Sequence, residues 1–151
     1  MSSSGELRTA ATSLVRRLKP KIVHNSSRPY PWLFVYVSEE DKKLIRELWL
    51  KNDKDLNRVE AKTQLRLRST PEKHIAEEYV IVWTEKAGIL KSPFPDRHLV
   101  IIALEDLNQD NGMPENEGPL SCGESLVLPG DRDLSFNGNG GGLAFFMLLK
   151  A

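Results

Sequence analysis

The sequence is short of most of the chemistry that usually announces a function. It has one cysteine, Cys122, in 151 residues, so no disulfide can form within the chain and a reducing compartment is favoured. It has no run approaching the ~18 consecutive apolar residues of a membrane span. It has no compact apolar core before a small-residue cleavage site near its start, so no secretory signal is expected. The expected location is therefore cytoplasmic or otherwise intracellular, not secreted, and the Asn25-Ser26-Ser27 sequon is expected to be idle.

Catalytic and metal signatures are absent as well. Cys122 and the three histidines, His24, His74 and His98, are far apart and carry no family signature. One cysteine and three scattered histidines exclude a Cys/His zinc cluster within one chain. Gly123-Glu124-Ser125-Leu126-Val127 begins like a nucleophile elbow but lacks the closing glycine and the following helix. The glycine-rich run at 138–142 has no Lys-Ser/Thr and precedes a strand pattern, so it is not a phosphate-binding loop. Asp106, Asn108, Asp110 and Glu117 fall at positions 1, 3, 5 and 12 of a calcium-loop frame. However, Asn111 stands at position six, Pro114 at position nine, and Gly118-Pro119 where an exiting helix would start. A solvated acidic loop is the expected reading. No enzyme, cofactor or metal is expected, and a small hydrolase or transferase is the third choice.

Net charge is also absent, with 21 basic and 21 acidic residues, but its placement is uneven. Residues 1–28 hold six bases and one acid, residues 29–90 hold eleven of each, and residues 91–151 hold nine acids and four bases. This suggests a basic arm on a mildly acidic body. Leu7, Ala10, Ala11, Leu14, Val15 and Leu18 recur at the spacing of one helix face over residues 6–19. Ser4 is the candidate N-cap, Arg16, Arg17 and Lys19 crowd the negative end, and Pro20 stops the helix. Residues 20–31 read as a linker. The expected organisation is a basic helix and linker over 1–28 and one β-rich domain over 29–151.

Within that domain, residues 32–37 (WLFVYV) read as a strand with Trp32, Phe34 and Tyr36 on one face. Ser38 starts a second helix through about residue 51, striped by Leu44, Ile45, Leu48 and Trp49. Residues 52–58 read as a polar loop. Residues 60–68 (EAKTQLRLR) alternate, so a half-wet strand is expected with Lys62, Arg66 and Arg68 on its exposed face. Pro71 opens a turn or a short helical piece, and Gly88, Pro93 and Pro95 mark a loop. Further strands are expected at 79–84, 99–104, 124–128, 134–136 and 143–149. The strands lack βαβ alternation, so the fold class is mainly β: an antiparallel sandwich or jelly-roll-like barrel with one inserted helix, α+β being the alternative.

Several strands are apolar on both faces, whereas a simple sandwich buries one face of each strand. Two helices cannot easily cover the rest, so self-association into a homo-oligomer is expected. The basic residues supply a second binding surface. Arg8, Arg16, Arg17, Lys19 and Lys21 on the N-terminal helix, with Lys62, Arg66 and Arg68, are the candidate nucleic-acid contacts, and RNA is the preferred anionic partner. The aromatic stripe could stack bases, but core is its commoner use. The N-terminal helix could also lie on an anionic membrane, a less favoured partner, serve as an organelle transit peptide, or dock on the body. The layout, a basic N-terminal arm before a β body, resembles that of small viral coat proteins with a jelly-roll domain. That resemblance is one of arrangement and carries over no residues. It implies a non-enzymatic structural or assembly protein. The alternative is a monomeric interaction module or membrane-associated adaptor whose N-terminal helix docks on the body or on lipid.

Overall fold

The structure, a computed structural model, describes residues 3–22 and 29–151. The sequon, His24, Arg28, half of the expected linker (23–28) and the expected domain boundary at residue 28 lie outside them, as does the Ser4 side chain. Helix α1 (Ser3–Leu18) runs into a short 3-10 turn (Lys19–Lys21) containing Pro20. Then come β1 (Trp32–Val35), α2 (Glu39–Leu50), α3 (Asp53–Thr63), α4 (Pro71–His74), β2 (Ile75–Trp83), β3 (Ala87–Leu90), β4 (His98–Ala103), β5 (Ser125–Pro129), β6 (Leu134–Asn137) and β7 (Leu143–Leu149).

Five strands form an antiparallel sheet in the order β1-β2-β7-β4-β5, and β3 pairs β6 in a second, two-stranded sheet. The C-terminal strand β7 therefore lies in the middle, between β2 and β4. Its register sets Phe145 opposite Val80 and Ile102, and Phe146 opposite Tyr79 and Ile101. Alternation sends these two rows to opposite faces. On one face, Val80, Val82, Val100, Ile102 and Phe145 meet Leu7, Leu14, Leu18, Trp49, Leu56 and Val59 from α1, α2 and α3. On the other, Ile81, Trp83, Leu99, Ile101 and Phe146 meet Leu134 and Phe136 of β6 and Leu107, Met113 and Leu120 of the long loop, 104–124, between β4 and β5. The loop comes so close that a Cβ on Gly112 would lie 2.5 Å from Trp83 Cβ, and Gly112 holds φ +111°. Only glycine satisfies both demands.

This layering answers the question raised by the doubly apolar strands. Both faces of the sheet are covered by the chain's own elements, so the strand pattern no longer calls for a second subunit.

Helix α1 buries its expected stripe: Leu7, Ala11, Leu14 and Leu18 are all in the core. Ser38 caps α2, its Oγ accepting the Asp41 N–H at 3.1 Å. The segment after α2 departs from expectation. Residues 52–58 are not a loop, and residues 60–68 are not a strand. Asn52 caps α3 by accepting the Asp55 N–H, Leu56, Val59 and Thr63 form its buried stripe, and Gln64 ends it in the left-handed conformation at φ +62°. The alternation of residues 61–67 straddles a helix end and a turn. Among the described residues there are thus four α-helices rather than two, and β3 occupies part of the expected loop around Gly88.

Candidate functional site

The eight candidate nucleic-acid contacts do not converge on one surface element. Lys62 stands in the last turn of α3, and Arg66 and Arg68 follow it in the turn, so the basic strand face does not exist. Arg68 is engaged with Asn57 Oδ1 at 2.9 Å and Asp53 at 3.3 Å, and its N–H bonds Glu60. On the N-terminal side, the Arg17 guanidinium donates to both carboxylate oxygens of Asp41 on α2, at 3.2 and 3.3 Å. These bonds hold the Asp41 carboxyl below the usual aspartate range. The Lys19 ammonium meets Glu105 at 2.6 Å. Arg8, Arg16, Lys21, Lys62 and Arg66 are exposed, and none of them forms an ion pair among the described residues.

The aromatic stripe divides in the same way. Trp32 is core, stacked on Phe94 at 5.9 Å and edge-on to Phe146 at 5.2 Å. Phe34 is 63% exposed and rests on Tyr79 at 4.6 Å. Tyr36 is 91% exposed and lies beyond the end of β1.

The calcium frame does not close. Asp106 accepts the Cys122 N–H, Asn108 accepts the Asp110 N–H, and Arg132 holds Glu117 at 3.1 Å. Among the described residues no group of three or more His, Cys, Asp or Glu could hold a metal ion. Cys122 lies against the Leu104 carbonyl and Thr12, far from either described histidine in its contacts, and burial pushes its thiol up. Such burial works against the thiolate form that a nucleophile needs. No helix among the described residues is long and apolar enough to cross a membrane.

A site with unusual geometry lies elsewhere, between α2, α4 and the start of β2. Here Ile75 pairs with Leu149 but Glu77 with Leu148, so Ala76 is an extra residue in β2. Such a bulge re-aims the side chains around it. It allows Ile75 to join the helix-covered face, which Glu78 also faces as the alternate neighbour of Val80. β1 stops at Val35, opposite Val80, so residues 75–79 have β7 on one side and, among the described residues, no strand on the other. The resulting cleft has a volume of about 460 Å³, within the ~300–1,000 Å³ range of ligand pockets.

Its floor is an ion pair. The Arg46 guanidinium donates to Glu78 Oε1 at 2.6 Å. The Glu78 side chain is 9% exposed, and its other oxygen, Oε2, is buried without a hydrogen-bond partner among the described residues. Burial raises the Glu78 carboxyl above the usual glutamate range, opposed by Arg46 and Lys42 and assisted by Glu39. Glu39, Glu47 and Glu72 add carboxylates to the walls, against Lys42 and Arg46, while Leu50, Pro71, Ile75 and Ala76 supply apolar surface. Glu77 lines the cleft too, but its carboxylate is turned to the Tyr79 hydroxyl, whose acidity it suppresses to a pKa of about 12. A perturbed carboxyl in a cleft marks a candidate functional site. Neither Arg46 nor Glu78 was among the residues that motif reasoning selected.

No family model, curated protein or solved structure matches the chain.

Proposed function

We propose that the protein is a non-enzymatic interaction module that works inside the cell as a folded monomer, with its N-terminal helix docked on its own body. The observation that carries this reading is the burial of Leu7, Ala11, Leu14 and Leu18 in one cluster with α2, α3 and the sheet. A helix held by that stripe, and tied by Arg17 to Asp41 and by Lys19 to Glu105, is a layer of the fold rather than a free arm. The same burial withdraws the apolar face a membrane surface would need. We assign the fold to the α+β class rather than to a sandwich or jelly roll, because helices cover one whole face of the main sheet. The single half-buried thiol supports an intracellular setting.

The assembly reading, with RNA as partner, keeps one specific observation in its favour. Arg8, Arg16, Lys21, Lys62 and Arg66 are exposed bases that phosphates could neutralise.

Deleting residues 1–22 separates the two. Truncating one buried leucine costs ~2–5 kcal/mol against a total stability of ~5–15 kcal/mol, so removing three with their helix should unfold the body. The expected result is loss of the cooperative thermal transition and of near-ultraviolet circular dichroism. A deletion variant that melts like the full chain would sink the docked-helix reading. Light scattering of the full chain with and without RNA at two salt concentrations completes the test. A monomer that ignores RNA is expected, and a salt-sensitive RNA complex of higher mass would favour assembly.

A further inference from the structure

We infer that the cleft between α2 and the bulged start of β2 receives a lysine or arginine side chain carried on an extended segment of a partner protein. This rests on the reading of the protein as an interaction module and gives that module its site and its ligand chemistry. Three independent observations converge on it.

The first is the unused acceptor. Glu78 is nine-tenths buried, Arg46 satisfies Oε1, and Oε2 has no donor among the described residues. A buried carboxylate oxygen without a donor is costly, so a ligand that supplies an N–H there gains more than it would at the surface. The second is the balance of charge. Glu39, Glu47, Glu72 and Glu78 outnumber Lys42 and Arg46 on the walls, and Lys42 already leans on Glu39 at 3.5 Å. An anion is repelled and a cation drawn in. A bare metal ion does not fit, since no group of three ligating side chains assembles there among the described residues. The apolar walls, Leu50, Pro71, Ile75 and Ala76, suit instead a cation on an aliphatic stem, which is the build of lysine and arginine.

The third observation says why the cation comes on a chain. Hydrogen bonding in β2 alternates sides. Trp83 N–H bonds Gly142 on the β7 side, and Thr84 N–H bonds Pro31 on the β1 side. Counting back along the ladder, Val80 and Glu78 turn their main-chain groups toward β1. Val80 meets Val35, but β1 ends there, and Glu78 points past it. An extended segment laid along residues 75–79 would take up those groups and deliver its side chain to the carboxylate, the strand-addition mode of peptide recognition.

The test uses the full chain, labelled with nitrogen-15, and four acetylated and amidated pentapeptides, Ala-Val-X-Val-Ala, with X as Arg, Lys, Gln or Glu. Titration should move amide resonances of residues 75–79 and of α2 with the Arg and Lys peptides, and not with the Gln or Glu peptides. Glu78→Gln should weaken that binding at least tenfold while its thermal transition shows a folded protein. Glu39→Gln with Glu72→Gln should weaken it severalfold and flatten its salt dependence. The inference is overturned if no peptide shifts those resonances at millimolar concentration, or if the Gln and Glu peptides bind as well. An unchanged affinity in folded Glu78→Gln overturns it too. Binding of n-butylguanidinium as tight as the Arg peptide would remove the extended partner from it. A failure here with a monomeric, helix-dependent fold intact would overturn the cleft inference and leave the interaction-module reading standing.

Discussion

Phe145 and Phe146 are neighbours in β7, both fully buried, yet they belong to different worlds. Phe145 lies under the helical layer, among aliphatic side chains from α1, α2 and α3. Phe146 lies under the small sheet and the long loop, in a group of rings with Trp32 at 5.2 Å and Trp83 and Phe94 at 6.4 Å. The helical face also carries polar and charged anchors: Trp49 Nε1 donates to Ser125 Oγ at 2.9 Å, and Glu78 faces Arg46. On the other face Trp83 Nε1 is buried without a partner among the described residues. One side of the sheet is held by aliphatic packing pinned at polar points, the other by ring contacts and close glycine approaches. The cleft at Glu78 opens on the pinned side.

The largest expected effect probes packing on each side. Phe145→Ala and Phe146→Ala should each cost ~3–5 kcal/mol in urea unfolding. Phe146→Ala should cost more, because ring pairs add ~0.5–1.5 kcal/mol beyond area. The reverse order would break the comparison. Next come the two buried indoles. Trp49→Phe loses a hydrogen bond and leaves the buried Ser125 Oγ without its indole donor, a loss of ~1–3 kcal/mol beyond that of packing. Trp83→Phe loses no such bond and should cost less by about that amount.

A pH series on Glu78→Gln sharpens the contrast further. Burial raises the Glu78 carboxyl in the folded state, so the native protein binds this proton more tightly than the unfolded chain does. Its favourable contribution is complete below the ordinary glutamate range and is lost as pH rises through the folded value. The stability of Glu78→Gln relative to wild type should therefore rise with pH from that range upward, as read by chemical denaturation at several pH values. A falling difference would contradict the burial of the carboxyl. The smallest effect belongs to the rim: Arg17→Gln, which removes the exposed pair with Asp41, should change stability by less than ~1 kcal/mol and less still in high salt.

These contrasts also explain what could be read from residue order. The strands at 99–104, 134–136 and 143–149 were legible because β-branched and aromatic runs sit between glycine and proline turns, and the structure places β4, β6 and β7 there. Helices α1 and α2 were legible through their stripes and, for α2, its Ser38 cap. Helix α3 was not. Its stripe of Leu56, Val59 and Thr63 is sparse, its surface is rich in Asp, Asn and Lys, and an accidental alternation across its C-terminus imitated a strand. Residues 75–78 escaped notice because Glu77 and Glu78 interrupt the apolar run before Tyr79. The cleft was invisible for a related reason. It depends on a bulge at Ala76, on β1 ending one pair early, and on Arg46 of α2 reaching Glu78 across 32 positions. None of these leaves a periodic trace.

The order of the strands has a consequence for synthesis. β7 joins β2 to β4, and it is read from the last codons of this sequence. While the chain is emerging, β1 and β2 form one hairpin-like piece and β4 and β5 another, with no strand to unite them. Helices can form early, but the layer they are built to cover does not yet exist. Until residues 143–149 have cleared the ribosome, the nascent protein carries two unpaired, highly apolar strand edges. It is then that it would most need a chaperone, and a chain broken off before residue 143 would leave the two pieces permanently unjoined.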